Sequence, residues 1–381
     1  MIQEFEVLEP AVDPNNRISF LLDWELTMKC NLDCSYCVSG LYGGHYNSTK
    51  HPPLQQCLDA LTFMFKYVDQ YMKTKPKGIR HVILNVYGGE SLHHPNIVDI
   101  LKQIQEEYVP YQNSWYLTIT TTTNAIVSAK LLESIIPLID EFTVSYHTEH
   151  TKKQRKQFKD NLLKISQSGK RLKCVVLMHP ESELFTDATN MINWLKTQNI
   201  RCLPRQLDQV INDTQFNYDQ KQVVWFDNLY NKKNYNHNTD LSTLPAVDQK
   251  YDLSNTGRAC CGGRQLCKDS NYKNREFFVT NKFPDWYCSV NHFFLYVKQV
   301  NGEVYVNKDC KMNFDGTVGP IGNLNNADRI LSTLQQQLDT NTLPIIQCKK
   351  SRCLCGLCAP KAKDLQSYKS IIKKYQKENQ L

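Results

Sequence analysis

Two hydrophobic periods alternate along this chain. Short apolar runs with β-branched and aromatic residues mark strands at Arg17–Thr27, Arg80–Val86, Trp115–Thr122, Glu141–Ser145, Lys173–Met178 and Ile200–Gln206. Between them, apolar residues recur at helical spacing, as in Leu58, Leu61, Phe65, Val68 and Met72. That spacing predicts helices over Leu54–Met72, Asn96–Tyr108, Ser128–Ile139, Lys152–Ser168 and Leu184–Thr197. Six strands alternating with helices imply a parallel sheet with right-handed crossovers. Six units are too few to close an eight-fold barrel, and ligands in such folds gather at the C-terminal strand ends.

The pattern then changes. Gln215–Tyr230 reads as a further helix, and Asn231–Gly257, rich in Asn, Asp and Ser, as a surface connection. Asn301-Gly302 separates Phe293–Val297 from Glu303–Val306 and signals a β-hairpin. Lys361–Gln380 reads as a basic terminal helix.

At 381 residues, 41% of them apolar, the chain can bury one large core with a smaller appendage. No apolar run of about 18 residues occurs, so no membrane span is expected. Met1–Pro14 is acidic and lacks a secretory pattern. The 15 cysteines of such a chain point to metal binding in a reducing, cytoplasmic setting rather than to disulfides.

The cysteines carry the candidate chemistry. Cys30, Cys34 and Cys37 lie within eight residues, with Tyr36 just before the third. Three thiolates suit a soft metal centre, and on a four-iron cluster they leave one iron open for a substrate or cofactor. Cys260, Cys261, Cys267, Cys288, Cys310, Cys348, Cys353, Cys355 and Cys358 form a second, C-terminal group around the hairpin. A zinc ribbon built on the last four is the simplest structural alternative for that group. Cys57, Cys174 and Cys202 fall within predicted elements and read as small core residues.

The Cys-x3-Cys-x-Tyr-Cys loop resembles that of the radical S-adenosylmethionine superfamily. A matching Gly88-Gly89-Glu90 ends the second strand, where paired glycines let backbone approach a ligand closely. The resemblance implies a partial (β/α)6 TIM-like barrel over residues 17–208. It implies a [4Fe-4S] cluster on Cys30, Cys34 and Cys37, with S-adenosylmethionine chelated to the open iron. Gly88, Gly89 and Glu90 would contact its methionine amino group, Asn124 the adenosine, and Ser145 the ribose or carboxylate. One-electron cleavage of the sulfonium would give a 5′-deoxyadenosyl radical that abstracts hydrogen from substrate.

Residues 258–360 resemble, more loosely, the SPASM or twitch extensions of such enzymes. This implies a small cysteine-rich domain with a hairpin and one or two auxiliary [4Fe-4S] clusters, drawing ligands from Cys261, Cys267, Cys288, Cys310, Cys348, Cys353, Cys355 and Cys358. Gly322-Asn323 matches the extension's Gly-Asn segment, whereas the spacing of the last four cysteines and the doubled Cys260-Cys261 depart from its usual pattern. The remaining divisions are an N-terminal extension at 1–16, a bridge at 209–257 and the basic helix at 361–381.

The resemblance makes a peptide or protein the first expected substrate, in a maturase-type modification, with a flavodoxin or ferredoxin as electron donor. Two readings stay open beside it. Lys152, Lys153, Arg155, Lys156 and Lys159 form either a solvated helix face or a nucleic-acid surface. A net charge of +7 favours nucleic acid only until clusters are counted, since three would lower it to about +2. A zinc-stabilised binding protein is the non-catalytic alternative. His147-Thr148-Glu149-His150 reads as a solvated or substrate-facing loop, or as a metal pair with no evident third ligand.

Overall fold

The computed structural model describes residues 7–8, 18–37, 50–74, 80–207, 210–211, 214–231, 285–288, 290, 294–307, 317, 319–342, 344–348 and 361–370. In chain order, β1 (Val7–Leu8) and β2 (Ile18–Thr27) precede α1 (Leu54–Lys73). Then come β3 (Arg80–Gly88), α2 (Ile97–Tyr108), β4 (Tyr116–Thr123), α3 (Ala129–Ile135) and β5 (Glu141–Tyr146). Next are α4 (Lys152–Gln167), β6 (Arg171–Met178), α5 (Ser182–Thr197) and β7 (Cys202–Gln206). The strands β8 (Val210–Ile211) and β9 (Thr214–Gln215) precede α6 (Gln220–Asn231). The C-terminal part contributes β10 (Tyr287–Cys288), β11 (Phe294–Lys298), β12 (Glu303–Tyr305), β13 (Gly322–Asn323), α7 (Ala327–Asp339), β14 (Ile346–Gln347) and β15 (Lys361–Ala362).

Strands β2 to β7 lie side by side in sequence order, each parallel to the next. The fold is therefore mixed α/β around a central parallel sheet. Because side chains alternate across a strand, each strand divides its residues between two faces. Phe20, Leu22, Trp24 and Leu26 of β2 join Val82, Leu84 and Val86 of β3 in the main core cluster. Phe142, Val144 and Tyr146 of β5 and Cys174, Val176 and Met178 of β6 extend it beneath the helices. The other face is largely polar, with Leu21 and Ile83 among its apolar residues. It carries Asp23 and Glu25 of β2, His81 and Asn85 of β3, Thr118 and Thr120 of β4 and Thr143 of β5, all buried.

Several predicted boundaries shift for local reasons. Pro137 has no amide to continue an α-helical ladder, so α3 stops at Ile135 and a 3₁₀ turn finishes the segment. Pro110 ends α2 in the same way. The helix expected from Gln215 starts at Gln220 instead. Gln215 pairs in the β8–β9 ribbon, and Asp219 caps α6, with Asp219 Oδ1 accepting from Gln222 N and Gln222 Oε1 accepting from Asp219 N. Lys361-Ala362 is a strand rather than the start of a helix. It pairs with both Val7-Leu8 and Tyr287-Cys288. Tyr368, beyond it, is fully buried rather than solvated.

The hairpin departs most from expectation. It does not stand apart in a C-terminal unit, because β11 pairs in parallel with β2 from Leu21 to Glu25. Without it the first core strand would expose a row of main-chain donors and acceptors along one edge. Gln299, in the hairpin turn, accepts from Trp24 Nε1 at 2.9 Å and donates to Gln56 O at 3.0 Å. The described sheet thus runs nine strands wide, and β2 is an interior strand.

The basic run on α4 is also more occupied than a free cationic surface. Arg155 pairs with Asp187 at 2.8 Å, Lys156 pairs with Asp160 at 2.8 Å, and Lys159 lies over the Trp194 ring. Cys57 and Cys174 are fully buried, as small core residues, and Cys202 is half-buried.

Leu84 sits at the centre of the apolar face with no exposed surface. Leu84→Ala is expected to cost about 2–5 kcal/mol by urea unfolding, whereas Val109→Ala, at 56% exposure, should change stability by less than about 0.5 kcal/mol.

Candidate active site

The three-cysteine loop leaves the C-terminal end of β2, and the neighbouring strand ends build a wall around it. At residues 28–37 it has no regular structure beyond a turn in which Cys37 N donates to Cys34 O at 3.0 Å. Its position comes from outside contacts. Gly89 N donates to Thr27 O at 2.7 Å, and Glu90 N donates to Lys29 O at 2.9 Å. Gly88 has a φ of +154°, and a Cβ there would lie 1.9 Å from Thr27 O. A Cβ on Gly89 would lie 2.4 Å from Met28 O and 2.6 Å from Lys29 O. The paired glycines are therefore needed to let the end of β3 touch the root of the loop.

Glu90 is fully buried, and its carboxylate is engaged by the chain itself. Leu92 N and Thr123 Oγ1 donate to Oε1 at 3.0 and 2.8 Å, and Asn124 N donates to Oε2 at 2.6 Å. Burial nevertheless pushes its pKa up to about 7. Glu90 thus fixes the end of β4, and the half-exposed part of its turn is Gly88-Gly89.

Asn124 carries that support back to the loop. Its Nδ2 donates to Asn31 Oδ1 at 2.7 Å and lies 3.9 Å from Cys30 Sγ, while Asn31 Nδ2 donates to Ile126 O at 2.8 Å. Leu32 N donates to Cys30 Sγ at 3.4 Å. Ser145 is half-buried, one residue before the end of β5. Cys30, Cys34, Cys37, Gly88, Gly89, Asn124 and Ser145 thus all lie at or just beyond C-terminal strand ends.

Two groups at the site take roles that the sequence did not show. One is the turn after β5. Glu149 accepts from Ser35 N at 2.8 Å and from the Ser35 hydroxyl. His147 Nδ1 lies 2.9 Å from Tyr36 Oη and 3.4 Å from Cys34 Sγ. His150 is buried among the rings of Tyr146, His147 and Phe158, and neither of its nitrogens has a hydrogen-bond partner among the described residues. Burial pushes His147 down to about 4 and His150 to about 3, so both are neutral at pH 7. Among the described residues the turn joins no group of three ligand side chains; His147 and Glu149 are half-buried against the thiol loop, and Thr148 and His150 are buried.

The other group is the buried polar ladder on the sheet face opposite the main core. Asn85 Nδ2 donates to Asp23 Oδ1 at 2.6 Å, Thr120 donates to Asn85 Oδ1 at 3.4 Å, and Tyr296 donates to Glu25 Oε2 at 2.7 Å. Its signal was present in Leu22-Asp23-Trp24-Glu25-Leu26, where two carboxylates share one face of an otherwise apolar strand.

The donor set fits a cationic, sulfur-seeking group. Burial pushes the Cys30 thiol up to about 12, with the Glu90 carboxylate and Cys37 adding to the rise. Cys34 is raised further by burial, then by Glu149, Cys37 and Cys30. Thiolates crowded with carboxylates are unfavourable until metal ions neutralise them. Among the described residues no three ligand side chains converge on a single ion. A multi-iron cluster takes one thiolate per iron, so it does not need that convergence.

Of the C-terminal cysteines, Cys288 and Cys348 are described. Both are buried, on adjoining strands where Cys348 N donates to Trp286 O at 2.8 Å. Cys260, Cys261, Cys267, Cys310, Cys353, Cys355 and Cys358 lie outside the described residues.

Gly89→Ala should displace the loop root, cost about 1–3 kcal/mol by denaturant unfolding and raise amide hydrogen exchange across residues 28–37. Exchange unchanged there would contradict the contact assigned to Gly89.

No family model and no curated protein matches the sequence. Among solved structures, the chain is similar to "Native anSMEcpe with bound AdoMet and Cp18Cys peptide", at 12% identity and a TM-score of 0.48, covering 94% of this chain and 96% of that one. It is similar to "Native anSMEcpe with bound AdoMet and Kp18Cys peptide" at 11% identity and a TM-score of 0.48, covering 95% and 97%. "Native anSMEcpe with bound AdoMet" matches at 12% identity and a TM-score of 0.47, covering 95% and 97%.

Proposed function

We propose that this chain is a radical S-adenosylmethionine enzyme that abstracts hydrogen from a peptide or protein substrate. The observation that carries the reading is the seating of the three-thiol loop on Gly88-Gly89, at the C-terminal ends of parallel strands. Cys30, Cys34 and Cys37 would hold the catalytic [4Fe-4S] cluster. When bound, that cluster supplies the electron that splits S-adenosylmethionine into methionine and a 5′-deoxyadenosyl radical.

The chain's own residues orient and shield. Main chain at Gly88 and Gly89 is open to a ligand, while buried Glu90 holds Asn124 in place. Ser145, half-buried at a strand end, would offer a hydroxyl to the nucleoside, while Asn124, buried and hydrogen-bonded to Asn31 and Ile126, would shape that site from behind. The polar sheet face with Asp23, Glu25 and Asn85, buried and hydrogen-bonded within the chain, would underlie the substrate site. We further propose that the core sheet curls into a partial barrel, with residues 17–208 carrying the radical chemistry. Residues 258–360 would hold one or two auxiliary clusters and receive the electron left on substrate after hydrogen abstraction. A flavodoxin or ferredoxin would supply the first electron. Arg155, Lys156 and Lys159 are engaged within the chain, so no observation favours a nucleic-acid substrate.

Anaerobically reconstituted protein with dithionite and S-adenosylmethionine should release 5′-deoxyadenosine and methionine in equal amounts, and Cys30→Ala should lower the rate by at least about 100-fold. Cluster-loaded protein that leaves S-adenosylmethionine intact would contradict the proposal.

A further inference from the structure

The turn at residues 147–150 is built against one particular thiol. Cys34 Sγ, Tyr36 Oη and His147 Nδ1 form a compact triad. His147 Nδ1 lies 2.9 Å from the phenol oxygen and 3.4 Å from the sulfur, and the Tyr36 hydroxyl also hydrogen-bonds Cys34. The Tyr36 and His147 rings are stacked, 5.9 Å apart and 7° from parallel. Tyr36 is buried and packs with Leu207 and Phe216, so its hydroxyl has a fixed direction.

The triad is braced from behind. Glu149 holds the intervening Ser35 by its amide and its hydroxyl. Arg155, one turn into α4, donates from Nε to His150 O at 3.0 Å and from Nη2 to Thr148 O at 3.2 Å. Its Nη1 donates to Asp187 Oδ1 at 2.8 Å, and Asp187 also accepts from Tyr146 at 2.6 Å. Thr151 caps α4 in a reciprocal box with Gln154, which fixes where the turn ends. Such a scaffold holds an imidazole edge against a sulfur with little freedom to move.

A metal-bound Cys34 is a thiolate, which can only accept hydrogen bonds. An N–H on His147 Nδ1 points at the shared edge of the sulfur and the phenol oxygen. The Tyr36 O–H then points at the sulfur. Hydrogen bonds to cluster sulfurs set reduction potentials, because they stabilise the more negative, reduced form. Resting on the radical-enzyme reading above, we propose that His147 and Tyr36 raise the reduction potential of the catalytic cluster by hydrogen bonding at Cys34 Sγ, with Glu149 and Arg155 as positioning residues. The three thiols are thereby unequal: Cys34 is the electrostatically tuned one, while Cys30 accepts from a main-chain amide.

The test is a mediated dithionite titration of anaerobically reconstituted protein, followed by electron paramagnetic resonance. The catalytic cluster is the signal that changes on adding S-adenosylmethionine. The event is a one-electron reduction, with the electron from dithionite and no covalent bond of the chain altered. His147→Ala should shift the equilibrium about tenfold against the reduced form, a fall of about 59 mV for a one-electron couple. His147→Asn, which restores an N–H near the same place, should recover more than half of that fall. If His147→Ala fails to load iron, Tyr36→Phe keeps the ring packing and removes one donor, and it should lower the potential by a smaller amount. A loaded His147→Ala or Tyr36→Phe protein with the wild-type potential would overturn the tuning role and leave the radical reading standing. Wild-type protein with no signal that responds to S-adenosylmethionine would overturn both.

Discussion

The contact between the Gly88-Gly89 main chain and the carbonyls of Thr27, Met28 and Lys29 is the constraint on which the site depends. The three-cysteine loop has no ladder of its own to hold it. It is placed because the end of β3 approaches closer than any side chain would allow, and because Glu90 N donates to Lys29 O. From there the support spreads sideways. Glu90 fixes Asn124, Asn124 fixes Asn31, and Asn31 lies beside Cys30. Glu90 to Asn124 joins the ends of neighbouring β3 and β4, and Asn124 to Asn31 reaches across β3 to the loop after β2, so the rigidity of the parallel sheet passes to a loop that lacks it. On the far side of the loop, His147 and Glu149 make the matching contacts from β5.

The sheet itself rests on a division of faces. Alternation places Leu22, Trp24 and Leu26 under the helices and Asp23 and Glu25 on the opposite side. Burying two carboxylates on a core strand is costly unless they are hydrogen-bonded. Asn85 meets Asp23 and Tyr296 meets Glu25. Tyr296 comes from the hairpin, so the C-terminal segment completes the polar face as well as the sheet edge. This explains why a piece of chain 271 residues distant in sequence has to dock there.

Much of this was legible in the residues, and the exceptions follow one rule. The six core strands, their helices and the hairpin announce themselves through local period and turn chemistry. So do the thiol loop and Gly88-Gly89, whose residue types are restrictive. Contacts between distant segments carry no such local mark. The parallel pairing of Phe294–Lys298 with Leu21–Glu25 could not be read from either strand. Lys361-Ala362 looked helical because its neighbours are basic and polar, yet its place is set by pairing with Val7-Leu8 and Tyr287-Cys288. His147 and Glu149 resembled half of a metal site because their residue types suit one. Their actual role is to hold a loop more than a hundred residues earlier, and sequence spacing is silent about that.

The central claim is that Cys30, Cys34 and Cys37 carry an iron–sulfur cluster. The most direct measurement is the iron, sulfide and zinc content of anaerobically purified protein, beside a variant with all three cysteines replaced by alanine. The account predicts a loss of about four irons and four sulfides in the variant, with the remaining iron on the C-terminal cysteines. Zinc with little iron, unchanged by the triple substitution, would contradict it.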